Sequence, residues 1–67
     1  MLGEQIKKLR MNKGISQVQL ADKLNVTKQS VSNWENEYIM PSVDMLIKIA
    51  NFFNVSTDYL LGLSEKH

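Results

Sequence analysis

Cysteine is absent from the sequence. That excludes a disulfide framework and any thiolate metal site, and because small extracellular domains usually depend on such staples, a reducing cytoplasm is the expected setting. Long apolar runs are missing as well. The longest are the triplets Tyr38 to Met40, Met45 to Ile47 and Tyr59 to Leu61, far short of the roughly 20 residues that cross a bilayer. Gly3 and Glu4 follow Met1 and Leu2 directly, which leaves no apolar core for a signal peptide, so the chain is expected to be soluble, untargeted and without a membrane partner. The single histidine, His67, is the last residue, where a solvated tail group is a simpler reading than a ligand. No nucleophile stands beside a base, no carboxylates are paired and no glycine-rich phosphate loop occurs. An enzyme needs one of these constellations, so neither catalysis, nor a metal, nor a cofactor is expected.

What remains is one small domain. The 67 residues are 43% apolar, enough to bury about 60% of the unfolded surface and to give a stability of roughly 3 to 10 kcal/mol. The net charge of +1 says little by itself, but the charges are segregated. Up to Trp34 six basic residues (Lys7, Lys8, Arg10, Lys13, Lys23, Lys28) face two acidic ones (Glu4, Asp22), a net of +4, whereas from Glu35 onward five acidic residues face Lys48 and Lys66, a net of −3. Such a dipolar chain can present one anion-attracting face while staying near neutral overall.

Apolar periodicity reads as five short helices and no strands. Leu2, Ile6 and Leu9 form the first stripe, which stops at Lys13 and Gly14. Three times the sequence then repeats one device: a residue suited to the left-handed region, an apolar residue, and a capping hydroxyl. Gly14-Ile15-Ser16, Asn25-Val26-Thr27 and Asn54-Val55-Ser56 are those triplets. Ser16 and Gln19 make a capping box with Ile15 stapled to Leu20, and Val18, Leu20, Ala21 and Leu24 are expected to form the apolar face of the second helix. The third helix carries Val31 and Trp34 inward. Asn36 to Pro41 is a loop, because proline supplies no amide and biases Met40 away from helix. Ser42 caps the fourth helix, where Val43, Leu46, Ile47, Ala50 and Phe53 make one stripe and Met45, Ile49 and Phe52 another, so this helix is expected to be the central, most buried one. The fifth ends at Gly62, and 64–67 is a frayed tail.

The distinctive segment runs from Gln17 to Asn36: two short helices joined by a turn of three or four residues, as in a helix-turn-helix. Ala21 is small where two steeply crossing helices need close backbones, Asn25 supplies the positive φ of the turn, and Leu20, Leu24, Val26, Val31 and Trp34 make the seam. On this pattern, with Glu35, Pro41-Ser42 and a fourth amphipathic helix following it, the chain resembles the Cro-type phage-repressor (XRE) family of bacterial DNA-binding regulators from about Ile6 to Leu61. The resemblance implies an all-α, compact five-helix lambda-repressor-like DNA-binding domain over 1–63. Two positions depart from it: Asn25 stands where glycine is common, and Glu37-Tyr38-Ile39-Met40 stands where relatives often carry Gly and Lys or Arg.

With about 100° between successive residues, the third helix turns Gln29, Ser32, Asn33 and Asn36 outward, with Lys28 at one edge. Solvated faces usually favour Glu and Lys, yet this one has no carboxylate before Glu35, which suits a polyanion. Asn and Gln pair bidentately with adenine and Lys donates to guanine in the major groove, so Lys28, Gln29 and Asn33 are the expected base readers with Ser32 as a fourth. Ser30 and Asn36 are better placed for the DNA backbone. Gln17 opens the second helix, where free amides and the dipole favour a phosphate; an ordinary first-turn glutamine is the bland account. Thr27 either donates to phosphate or simply caps. The resemblance implies an ion pair of Arg10 with Glu35 between the first and third helices, the alternative being a direct phosphate contact by Arg10. Trp34 is read as core rather than a base-stacking residue.

The expected function is sequence-specific binding of double-stranded DNA to repress transcription. One such helix reads only about four or five base pairs, so a homodimer on an inverted-repeat operator is expected. Leu61 and Leu63 are the candidate interface, with Tyr38, Ile39 and Met40 as a further exposed apolar set. A second protein, a toxin or an antirepressor, is a possible further partner, and a pure protein-interaction domain is the rival reading.

Overall fold

The computed structural model describes residues 2–65. His67 and the end of the 64–67 tail lie outside the described residues. Every regular element among them is a helix: α1 (Leu2–Asn12), α2 (Gln17–Leu24), α3 (Lys28–Glu35), α4 (Val43–Phe53) and α5 (Thr57–Leu60). None is long and apolar enough to cross a membrane.

The boundaries are set locally. Gly14, Asn25, Asn54 and Gly62 have φ of 72°, 61°, 57° and 77°. After each, the next amide reaches back five residues to close the helix end: Ile15 to the Arg10 carbonyl at 3.3 Å, Val26 to Ala21 at 2.9 Å, Val55 to Ala50 at 3.0 Å and Leu63 to Asp58 at 2.8 Å. Ser16, Thr27, Ser42 and Ser56 then accept the amides of Gln19, Ser30, Met45 and Tyr59. At Ser16 the reciprocal bond from its own amide to Gln19 Oε1, 2.8 Å, completes the capping box. Ile15, Val26 and Val55 thus each seal one helix end, precede the next cap and pack on the core.

Ile6, Leu20, Leu24, Val31, Ile49 and Leu60 are wholly buried, each side chain contributing about 1.5 to 3 kcal/mol relative to exposure. Helix α3 packs against both α1 and α2, α4 against α2 and α5, and α5 against α1. Two expectations are corrected here. Val18 is 58% exposed, because Leu20, Ala21 and Leu24 already fill the inward arc of α2 and Val18 lies about 200° from Leu20. Helix α4 is not the buried centre: Leu46, Ile49 and Ala50 face the core, but Val43 and Ile47, one turn apart, are 72% and 48% exposed. The Val43–Ile47 edge of the first stripe is a surface, whereas Ile49 of the second is wholly buried with Met45 and Phe52 packed on the core.

Two long-range features position α3. Gly3 is buried where α1 meets the last turn of α3; a Cβ there would lie 2.5 Å from the Trp34 carbonyl oxygen and 2.7 Å from that of Glu35. Lys48 of α4 donates from Nζ to the Leu24 carbonyl at 2.9 Å, supplying a cation to the C-terminal end of α2 where carbonyls lack partners.

Candidate nucleic-acid interface

Helix α3 starts at a Thr27 cap whose Oγ1 accepts the Ser30 amide at 3.1 Å and lies 3.1 Å from Ser30 Oγ. Thr27 and Ser30 therefore satisfy one another at the helix start. Val31 and Trp34 are buried and anchor the helix by its inner side, so that Lys28 and Gln29 are exposed and Ser32 and Asn33 half-buried on the other. The outer side chains are paired one turn apart. Gln29 Nε2 donates to Asn33 Oδ1 at 3.0 Å, and Asn36 Nδ2 donates to Ser32 Oγ at 3.2 Å. Trp34 therefore belongs to the core, while the polar residues from Lys28 to Asn36 form one hydrogen-bonding surface without a carboxylate until Glu35.

Glu35 itself is turned inward, its side chain 3% exposed. Arg10 donates to it as a fork, Nε to Oε2 at 2.7 Å and Nη2 to Oε1 at 3.2 Å, while Nη1 donates to the Ile15 carbonyl at 2.9 Å. A planar guanidinium matches a carboxylate in this bidentate way. The guanidinium is thus spent inside the fold rather than offered to an outside anion, and it neutralises the one carboxylate at the end of α3. Gln17, half-buried at the start of α2, joins the same group: its Nε2 donates to Glu35 Oε1 at 3.0 Å. That bond has no local sequence signal, since its ends are 18 residues apart.

The other cations are divided. Lys13 Nζ stands 5.4 Å from the centre of the Phe52 ring, a distance that favours a cation–π contact. Lys7, Lys8, Lys23 and Lys28 are exposed. After α3 the chain turns through Glu37, whose φ of 62° lets Tyr38 return its amide to the Asn33 carbonyl at 2.9 Å. Tyr38, Ile39 and Met40 are then exposed, Pro41 is buried, and Leu63 is 74% exposed. Leu61 packs partly on the core. It lines a groove of about 280 Å³ together with Leu2, Trp34, Glu37, Ile39, Met40 and Pro41.

A family model described as helix-turn-helix matches residues 6–60. The chain is 45% identical over 64 residues to the HTH-type transcriptional regulator ImmR of Bacillus subtilis, covering 96% of this chain and 50% of ImmR, so it spans about half the length of that relative. Among solved structures it superposes on the P22 c2 repressor in complex with a synthetic operator with a TM-score of 0.89 at 28% identity, covering 96% of this chain and 97% of that one. It also superposes on SinR, the master regulator for biofilm formation, in complex with DNA, with a TM-score of 0.82 at 37% identity, covering 91% and 98%. SinR is likewise a Bacillus subtilis protein.

Proposed function

The chain belongs to the helix-turn-helix family, in its Cro-type or XRE branch, and on that premise we propose that it is a sequence-specific double-stranded DNA-binding regulator that represses transcription from the cytoplasm, its domain spanning 1–63. The observation that carries this reading is the outer side of α3. Lys28, Gln29, Ser32 and Asn33 form a carboxylate-free surface of amides, a hydroxyl and an ammonium, on a helix fixed from behind by Val31, Trp34 and the Arg10–Glu35 pair. Helix α3 enters the major groove, where such groups read base edges. Gln17, Thr27, Ser30 and Asn36 flank it and contact the sugar-phosphate backbone, which sets register rather than sequence.

A homodimer on an inverted repeat is part of the same proposal. Leu63, Tyr38, Ile39, Met40, Val43 and Ile47 leave more exposed apolar surface in the second half of the chain than isolated surface residues account for. Leu61, being partly packed on the core, is a floor to that surface more than a contact. Association through so small a surface is weak, and it is the DNA that brings two copies together.

The test is a titration of fluorescently labelled duplex DNA with the protein at several salt concentrations. Affinity should fall steeply and log-linearly as salt rises, because each neutralised phosphate releases counterions. A protein-interaction domain that does not touch DNA would show no binding at any salt, and that result ends the proposal.

A further inference from the structure

The carboxylate of Glu35 accepts from two sides: Arg10 from α1 and Gln17 from α2. A carboxylate only accepts, so the Gln17 amide is held with its nitrogen toward Glu35. That nitrogen carries two hydrogens. One is taken by Oε1 at 3.0 Å, and the second remains to be donated. Gln17 is also the first residue of α2, where first-turn amides have no intrahelical acceptor.

We propose that Glu35 is a positioning residue for DNA-backbone binding: it holds the Gln17 amide so that the second hydrogen is aimed at the phosphate that α2 receives. This rests on the DNA-backbone role proposed for Gln17. Three physical effects converge on it. A surface glutamine gives up rotamer freedom when it grips a phosphate, whereas one already held by Glu35 has given it up on folding. The bond to Oε1 also fixes the plane of the amide, and with it the direction of the second N–H. A bare carboxylate near a phosphate would repel it, but the Arg10 fork cancels that charge. Because Glu35 is also the last residue of α3, the phosphate-gripping side chain and the base-reading helix share one anchor.

The experiment measures affinity for a short random-sequence duplex at low salt, since phosphate contacts carry no sequence information. Gln17→Ala is expected to weaken the wild type about tenfold, the worth of one charge-assisted hydrogen bond. The pair Arg10→Met with Glu35→Leu removes both charges and replaces the ion pair by apolar groups, a change that folds commonly tolerate. In that background Gln17→Ala should cost about twofold or less, whereas in Glu35→Gln, which keeps an acceptor oxygen but breaks the ion pair, it should still cost close to the wild-type factor. If Gln17→Ala costs the same tenfold in the apolar-pair background, Glu35 serves the fold alone and this proposal is overturned while the DNA reading stands. If Gln17→Ala is without effect in the wild type, the phosphate role of Gln17 falls too. A wild type that ignores the duplex overturns the proposed function itself. A second measurement needs no variant: the side-chain amide of Gln17 should be as rigid as the backbone by NMR relaxation before DNA is added, and a freely mobile amide overturns the positioning role.

Discussion

Alanine in place of glycine inside a helix normally stabilises, by about 0.8 to 1 kcal/mol in a helix interior and less in the first turn. Gly3→Ala should do the opposite. Its Cβ would sit 2.5 Å from the Trp34 carbonyl oxygen and 2.7 Å from that of Glu35, about 0.6 to 0.8 Å inside the closest ordinary carbon–oxygen approach of some 3.3 Å. Both neighbours are backbone atoms, and the Trp34 carbonyl is itself tied to the Glu37 amide at 3.1 Å, so neither can swing aside as a side-chain end would. The molecule has two ways out. It can lift α1 off α3, an overpacking response that costs about 1 to 3 kcal/mol. It can also unpeel the first turn, which exposes the buried Leu2 at a cost of up to about 1.5 to 3 kcal/mol. The cheaper route limits the loss, and after the propensity gain a net destabilisation of about 1 to 2 kcal/mol remains. For a domain of this size that lowers Tm by roughly 4 to 15 °C. Thermal and urea unfolding followed by circular dichroism measures it directly. An unchanged or raised Tm would show that α1 does not approach α3 by its backbone.

Glu37→Gly should raise stability by about 0.5 to 1 kcal/mol, since the left-handed φ of 62° strains an L-residue more than glycine; a lowered Tm in the same unfolding assay contradicts this. Glu35→Gln should cost about 1 to 3 kcal/mol, because it leaves the mostly buried Arg10 without its counter-charge, and an unchanged Tm refutes the importance of the pair. Leu63→Glu, at a 74% exposed position, should leave folding within about 0.5 kcal/mol of wild type while weakening cooperative binding to a two-half-site duplex in sedimentation and gel-shift measurements. Undiminished affinity and cooperativity would remove Leu63 from the interface.

The helix boundaries were legible because they are written in adjacent residues. Each triplet of left-handed stop, apolar seal and hydroxyl cap needs no information from elsewhere in the chain, and the observed ends of α1, α2 and α4 follow them. The outer face of α3 was legible for a similar reason: once Val31 and Trp34 are inward, helix geometry fixes the rest. Other features depended on packing between distant segments. Gly3 looks like any glycine until α3 is laid across it, and the Lys48 bond to the Leu24 carbonyl joins residues 24 apart. Gln17 is legible as a first-turn residue, but not as a partner of Glu35. The exposed edge of α4 was indistinguishable by periodicity, since the core-facing Leu46 and Ala50 and the exposed Val43 and Ile47 fall in one apolar stripe. Val18 shows the converse, because an eight-residue helix has too few positions for its stripe to be defined by pattern alone.

The central claim is that the outer side of α3 reads base edges, and selection of bound duplexes from a random DNA pool tests it most directly when run in parallel on wild type and Gln29→Ala. The wild type should recover an inverted repeat with half-sites about one helical turn apart. Gln29→Ala, folded to the same degree by circular dichroism, should lose preference at one base position of each half-site by about 1 to 3 kcal/mol and keep the others. The same motif recovered by both proteins with unchanged preference at every position would contradict the account.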